Sequence, residues 1–292
     1  MENIETKSAR LSGNGFVLLA AMLWGTTGTA QAFAPLGTNP LAIGTMRVIL
    51  GSIFLLIFAY FKGSLVSIKG WPLKTVFLAS LSMTFYQPCF FTGVAMTGVA
   101  VGTVVGIGSS PIFAGVLGYF IRKERPGKPW YLATLFAILG NLLLVFSGED
   151  INVDPVGILF ALGAGLAYAS YSIHSKELLE CYSEESVLAM VFSLGALFLL
   201  PALFFLDLSW LSETRGILVA LHLGLVTLAL AYYFYARGLS QIPAANAVSL
   251  TLAEPLTATF LGVLLLKESL SIIASFGLLL ILLGLIVISK KT

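Results

Sequence analysis

The sequence is poor in charge. Only 10% of its 292 residues are Asp, Glu, Lys or Arg, against about a quarter in a soluble domain, while 58% are hydrophobic and the mean hydropathy is +0.97. That balance argues against a soluble enzyme, a secreted domain and a nucleic-acid binder. Cysteine and histidine are equally scarce. Cys89 and Cys181 cannot build a disulfide framework or a cysteine zinc site, and His174 and His222 have no partners at metal-ligand spacing. No HExxH, Gly-rich phosphate loop or Walker pattern occurs, so no metal, no cofactor, no enzymatic activity and no ATP-driven pumping is expected. The net charge of +2 says little, because in a membrane protein the placement of basic residues matters and their sum does not.

What the sequence does have is long apolar runs. A membrane-spanning helix needs about 20 mostly apolar residues. Ten such runs are read at 13–34, 41–61, 73–94, 98–121, 129–147, 155–175, 186–206, 215–237, 243–266 and 270–289. Pro, Gly and charge clusters separate them, as at Pro35 to Pro40, Lys62 to Lys74 and Arg122 to Pro129. The first run contains Ala30-Gln31-Ala32, which resembles a signal-peptidase pattern, but its apolar part is too long for a signal-peptide core and we expect a retained helix.

The chain also repeats itself. At an offset of 144 residues Pro111 pairs with Pro255, Gly118 with Gly262, Lys123 with Lys267, Glu124 with Glu268 and Gly140 with Gly284, with no gap. The same offset aligns Leu50 and Gly51 with Leu194 and Gly195, and sets Trp24 opposite Tyr168. Five runs per half is an odd number, so the halves must cross the bilayer in opposite senses, the inverted-repeat plan of many secondary transporters. The expected organisation is a cytoplasmic tail at 1–12, a first five-helix repeat at 13–147 and a second, inverted one at 155–289. The fold class is all-α integral membrane with ten transmembrane helices.

Basic residues set the orientation. With the N-terminus inside, the inner segments hold Lys7, Arg10, Lys62, Lys69, Lys74, Arg122, Lys123, Arg125, Lys128, Lys176, Arg237, Lys290 and Lys291, and the outer ones only Arg215 and Lys267. Both termini are therefore expected in the cytoplasm, with acidic Glu149, Asp150 and Asp154 outside.

Several of these features together are distinctive: two five-helix halves, Trp24-Gly25 in the first run, Arg47 opening the second, and the paired stretches Pro111 to Glu124 and Pro255 to Glu268. In the second half Tyr233-Phe234-Tyr235-Ala236, Ala244-Ala245, Glu254-Pro255 and Lys267-Glu268 add to the pattern. In these residues the chain resembles the EamA-type branch of the drug/metabolite transporter superfamily. The resemblance implies a ten-helix secondary transporter or exporter of small organic molecules, a group that includes amino-acid exporters, and it leaves the solute open because one fold hosts many specificities. The third run, with Tyr86-Gln87-Pro88, departs from the pattern and is a place for substrate preference to be written.

Candidate site residues follow from what hydrocarbon tolerates. Glu254 lies mid-run, where a carboxylate costs roughly 3 kcal/mol on insertion scales, so it should face the bundle interior, a cavity or a partner. Its repeat mate is neutral Ser110. It suits proton coupling or a substrate ammonium, and a structural hydrogen bond or ion pair is the other reading. Arg47 is read first as a structural or gating residue and second as a bidentate partner for a substrate carboxylate. Pro111 and Pro255 remove backbone donors to the carbonyls of Ile107 and Thr251, which would leave bent helices with free carbonyls, as hinges or as packing kinks re-satisfied by Ser or Thr. Trp24, Tyr86, Gln87, Tyr168 and Tyr232 are candidate pocket residues because ligand sites are mostly apolar with a few polar fixers. Asn246 joins them from a polar face shared with Ser249, Ala253 and Thr257. Aromatic walls fit an aromatic amino acid or an organic cation equally.

The expected function is a secondary transporter, an exporter by preference, moving a small amino-acid-like or aromatic metabolite by alternating access, with protons as the coupling ion. The rivals are a multidrug or quaternary-cation exporter and, in another class, a membrane receptor or scaffold without flux. The expected setting is a multi-pass protein of a bacterial inner membrane, in contact with lipid, with no nucleic-acid partner and with homo-oligomerisation left open.

Overall fold

The computed structural model describes residues 2–65, 69–97, 99–146, 154–265 and 271–291, and among them every regular element is helical. In chain order these are α1 (Glu2–Trp24), α2 (Thr26–Ala32), α3 (Pro40–Phe61), α4 (Leu73–Thr97), α5 (Val99–Leu117), α6 (Lys128–Phe146) and α7 (Pro155–Leu179). They continue as α8 (Glu184–Leu199), α9 (Thr214–Leu221), α10 (Ala231–Leu239), α11 (Ala244–Leu250), α12 (Glu254–Leu265) and α13 (Ile272–Lys291). A π-helical stretch, His222–Leu230, joins α9 to α10, and a 3-10 turn, Thr251–Ala253, joins α11 to α12.

Helix starts follow local chemistry. The Asn39 side chain accepts the Leu41 N–H ahead of α3, Asp154 accepts those of Val156 and Gly157 ahead of α7, and Ser183 accepts that of Ser186 ahead of α8. Pro40 and Pro155 occupy first-turn positions where their missing N–H is not needed.

Among the described residues seven helices are long and apolar enough to cross a membrane: Pro40–Phe61, Val101–Arg122, Pro155–Leu179, Glu184–Phe204, Thr214–Leu239, Ala244–Leu265 and Ile272–Ser289. The expected runs at 13–34, 73–94 and 129–147 fall outside this set, each for a visible reason. The first is interrupted at Gly25, and its helix begins at Glu2, ahead of the expected boundary at residue 13. The second, α4, is long but carries Ser80, Ser82, Thr84, Gln87 and an internal Pro88. The third has an apolar stretch, Lys128–Leu144, that is shorter. Glu149, Asp150, Lys267 and Glu268, named above, lie outside the described residues.

Packing pairs the helices in a definite pattern. α4 lies along α7, α1 along α10, α6 along α13 and α3 along α8, and α5 packs on α7. The α6–α13 crossing is close because a Cβ on Gly140 would sit 2.5 Å from the Gly277 carbonyl oxygen. At Gly25, the break between α1 and α2, a Cβ would lie 2.5 Å from Thr257 Cβ and 2.8 Å from the Glu254 carbonyl oxygen, so glycine lets the first chain segment touch the backbone of α12. Tyr171, Tyr235 and Phe192 are among the largest fully buried side chains and tie α7, α10 and α8 together.

Candidate functional site

A cavity of about 490 Å³ occupies the middle of the bundle, within the roughly 300–1,000 Å³ range of small-molecule sites. Its wall includes Trp24, Arg47, Tyr86, Gln87, Phe90 and Ser110 from the first half of the chain and Tyr168, Tyr232, Thr251 and Glu254 from the second. Gln31 and Pro40 also line it, so it extends from mid-length toward the end where α2 joins α3.

Aromatic packing shapes the floor. Trp24 meets Tyr232 edge-on with ring centroids 4.9 Å apart, Tyr235 at 5.4 Å and Tyr168 at 6.1 Å, while Tyr86 lies 6.0 Å from Tyr168 and stacks on Phe90 at 5.5 Å. Two of these rings are held by their hydroxyls: Tyr232 OH reaches Met83 Sδ at 3.6 Å, and Tyr235 OH donates to Ser172 Oγ at 2.7 Å.

Arg47 and Glu254 face this cavity without pairing. Among the described residues the two ion pairs are Arg122–Glu124 and Arg122–Glu180, both elsewhere. Arg47 Nη2 donates to the Thr227 carbonyl at 3.0 Å, and its Nε has no partner. Thr227 belongs to the π-helical stretch, a wider backbone winding that recurs at functional sites. Trp24 Nε1, Thr27 Oγ1, Tyr168 OH and both amide atoms of Gln87 are likewise buried without a protein partner, and all of these residues line the cavity. Nothing in the sequence announced the π winding. Thr27 and Gln31 escaped the sequence reading too, although the Thr26-Thr27-Gly28-Thr29 run, polar and just past Trp24, was the signal that could have found them.

Asn246 is placed elsewhere: it lines a smaller cavity, about 190 Å³, with Glu124, Arg125 and Pro243, and a 3-10 turn at Thr251–Ala253 stands between it and Glu254. Of the two readings of the prolines, the re-satisfied kink is the one that matches the hydrogen bonds. Ser110 Oγ lies 2.9 Å from Ile107 O and 3.0 Å from Gly106 O, with one hydrogen to give, and the Glu254 N–H bonds Thr251 O. Pro111 and Pro255 directly follow the cavity residues Ser110 and Glu254 but do not themselves line the wall.

At the far end of the bundle polar groups pair. Lys176 Nζ donates to the Leu239 and Ile242 carbonyls at 2.8 and 2.7 Å, Arg122 bridges Glu124 and Glu180, and Glu124 Oε2 accepts the Ala244 N–H. Trp130 Nε1 donates to Ala245 O, and Thr134 meets Ser249. His222 belongs to neither group: Thr26 Oγ1 donates to Leu23 O, so His222 Nε2 donates to Thr26 Oγ1 at 2.9 Å and braces the α1–α2 break. His174 is buried, and its Nδ1 donates to its own helix at Ser170 O.

An all-helical membrane protein with a polar-dotted aromatic cavity between its halves is the class these features define. The profile of the EamA-like transporter family matches the chain twice, over residues 11–146 and 155–290, and the chain belongs to that family. Similar proteins include the uncharacterized transporter YwfM of Bacillus subtilis, 44% identical over 94% of this chain and 92% of its own, and the uncharacterized inner membrane transporter YicL of Salmonella typhimurium, 26% identical over 94% and 93%. A solved crystal structure has the same fold, with a TM-score of 0.82 at 19% identity over 94% of this chain and 96% of that one. The chain is thus a multi-pass membrane transport protein, the coarse form of the reading its composition supports.

Proposed function

We propose that this protein is a secondary transporter of ten membrane spans in two inverted five-helix repeats, divided near residues 147 and 155. It exports a small amino-acid-like or aromatic solute by alternating access, with protons as counter-ions, from a bacterial inner membrane with both termini in the cytoplasm. No enzymatic step is invoked. The observation that carries the reading is that three pairs of repeat mates, Trp24 and Tyr168, Ile107 and Thr251, Ser110 and Glu254, line one cavity from opposite halves. A solute site at a repeat interface is what alternating access requires.

The packing supports the inverted plan. Shifting by 144 residues carries the α4–α7 pair onto the α10–α1 pair and maps α6–α13 and α3–α8 onto themselves, the exchange a two-fold axis in the membrane plane produces. Glu254 supports coupling: a carboxylate facing a cavity without an ion-pair partner is free to exchange a proton for a cationic group.

A second reading has its own observation. Six aromatic side chains, Trp24, Tyr86, Phe90, Phe91, Tyr168 and Tyr232, around one carboxylate suit a quaternary cation exporter through cation-π attraction.

Flux from proteoliposomes loaded with amino acids, nucleobases and aromatic cations, read with and without an inward proton gradient, tests both. Gradient-accelerated loss of amino acids that becomes pH-insensitive in Glu254→Gln is the expected result. Loss of aromatic cations alone selects the second reading, and gradient-independent flux with an unaltered Glu254→Gln profile removes proton coupling. Folded, inserted protein that binds solute without flux would make it a receptor.

A further inference from the structure

We infer that the cavity contains an anion subsite, built from Arg47 Nε and the Gln87 side-chain amide, that takes a carboxylate on the solute. The inference rests on the transporter reading and adds to it the charge pattern of the cargo.

The cavity residues carry donors without acceptors. A guanidinium has only donors, and a buried donor left unpaired costs about 1–3 kcal/mol, so such groups are rare unless a ligand or water serves them. Arg47 is only 8% exposed and Gln87 only 2%, and both line the cavity. Arg47 spends Nη2 on the Thr227 carbonyl while Nε is unpartnered; Gln87 has no partner at either amide atom. Gln87 Oε1 would lie 3.1 Å from a Cβ at Gly44, which stands one helical turn before Arg47 on the same face of α3, and both side chains line the cavity. Glycine at 44 leaves the room in which the amide turns, and either end of it can be rotated toward a guest.

The Thr227 bond is what makes this a site and not a mobile cation. The π-helical winding of His222–Leu230 presents that carbonyl to the guanidinium, which holds the fork by Nη2 and leaves Nε buried without a partner on a side chain that lines the cavity. Trp24 Nε1 is a further donor-only group on the same wall without an acceptor. Glu254 supplies the opposite charge, unpaired with Arg47, and Tyr86 lies within electrostatic range of both. A wall with one fixed cation, one fixed anion and aromatic sides is complementary to a solute carrying both charges, and a permanently cationic solute leaves Arg47 facing it with like charge.

The test uses the purified full chain with the twenty standard amino acids, their decarboxylated amines and tetraphenylphosphonium as probes. Binding is read by isothermal calorimetry and transport by proteoliposome flux. Amino acids are expected to bind at least roughly tenfold more tightly than the matching amines. Arg47→Lys, which keeps charge but loses the fork, and Gln87→Met, which removes a side chain bonded to nothing else, each lower amino-acid affinity by roughly five- to tenfold while leaving amine affinity within about twofold. Equal or tighter binding of amines or of tetraphenylphosphonium, no binding of any carboxylate-bearing probe, or amine and amino-acid affinities that fall together in Gln87→Met would overturn the subsite. The two readings fail separately: flux of amines alone removes the subsite and keeps the transporter, whereas carboxylate-selective binding without any flux keeps the subsite and removes the transporter.

Discussion

Where α7 and α10 end, Lys176 donates to two main-chain carbonyls, Arg122 holds two carboxylates and Glu124 accepts a backbone N–H; around the cavity, Arg47 Nε, Trp24 Nε1, Thr27 Oγ1 and the Gln87 amide have no partner. Both regions hold polar groups within the bundle, although Glu180 at the paired end is exposed while Arg47 and Gln87 at the cavity are buried. They differ in how those polar groups are satisfied. At the far end the protein supplies both halves of each bond, which stabilises one arrangement of the helices. At the cavity it supplies only one half, which leaves binding capacity for a guest and for water. Polar groups of similar type thus serve closure in one place and recognition in the other, and the presence or absence of an internal partner separates the roles.

This contrast can be broken by substitution, and the largest effect is expected at the paired end. Lys176→Met strands the carbonyls of Leu239 and Ile242, two charge-assisted bonds, and should lower unfolding stability by about 3 kcal/mol in thermal denaturation of the purified protein. A melting curve indistinguishable from wild type would mean that pairing does not hold this end shut. Next, Tyr235→Phe deletes the buried bond to Ser172 and should cost about 1 kcal/mol with little change in solute affinity, because the ring that packs on Trp24 is retained. Glu254→Gln removes a carboxylate that no cation pairs with, so stability should change by less than about 0.5 kcal/mol. Its effect appears in transport, as loss of pH dependence. Smallest of all is Asn246→Ala. Its side chain lines the other cavity, so solute affinity should stay within about twofold, sites without shared partners being nearly independent. A larger change in calorimetry would show that the two cavities communicate.

The chain itself carried a good deal of this. Charge scarcity and long apolar runs specify a membrane helix bundle because unpaired backbone and charge are too costly in hydrocarbon for other solutions. Glu254, Trp24, Tyr86, Gln87, Tyr168 and Tyr232 were selected from the sequence as polar or aromatic groups at mid-run, and the fold brings all of them to one cavity wall. Burial cost is local in origin, so a residue out of place in lipid is visible without knowing its neighbours. Asn246 lines a different cavity; a 3-10 turn stands between it and Glu254, and a helical-wheel projection assumes unbroken α-helix.

What only the tertiary structure decided is partnership. From sequence Arg47 is one cationic side chain in an apolar run; in the fold, a carbonyl 180 residues away takes one of its nitrogens and another stays buried without a partner. Whether the carbonyls released by Pro111 and Pro255 are free or re-satisfied is open in the sequence; in the fold the Ser110 hydroxyl reaches one and the Glu254 N–H bonds the other. Composition and periodicity report the cost of placing a group in the membrane interior, since that cost belongs to the group. Whether the cost is met by the protein or left for a ligand depends on a few ångströms between distant segments, and those distances exist only once the helices have packed.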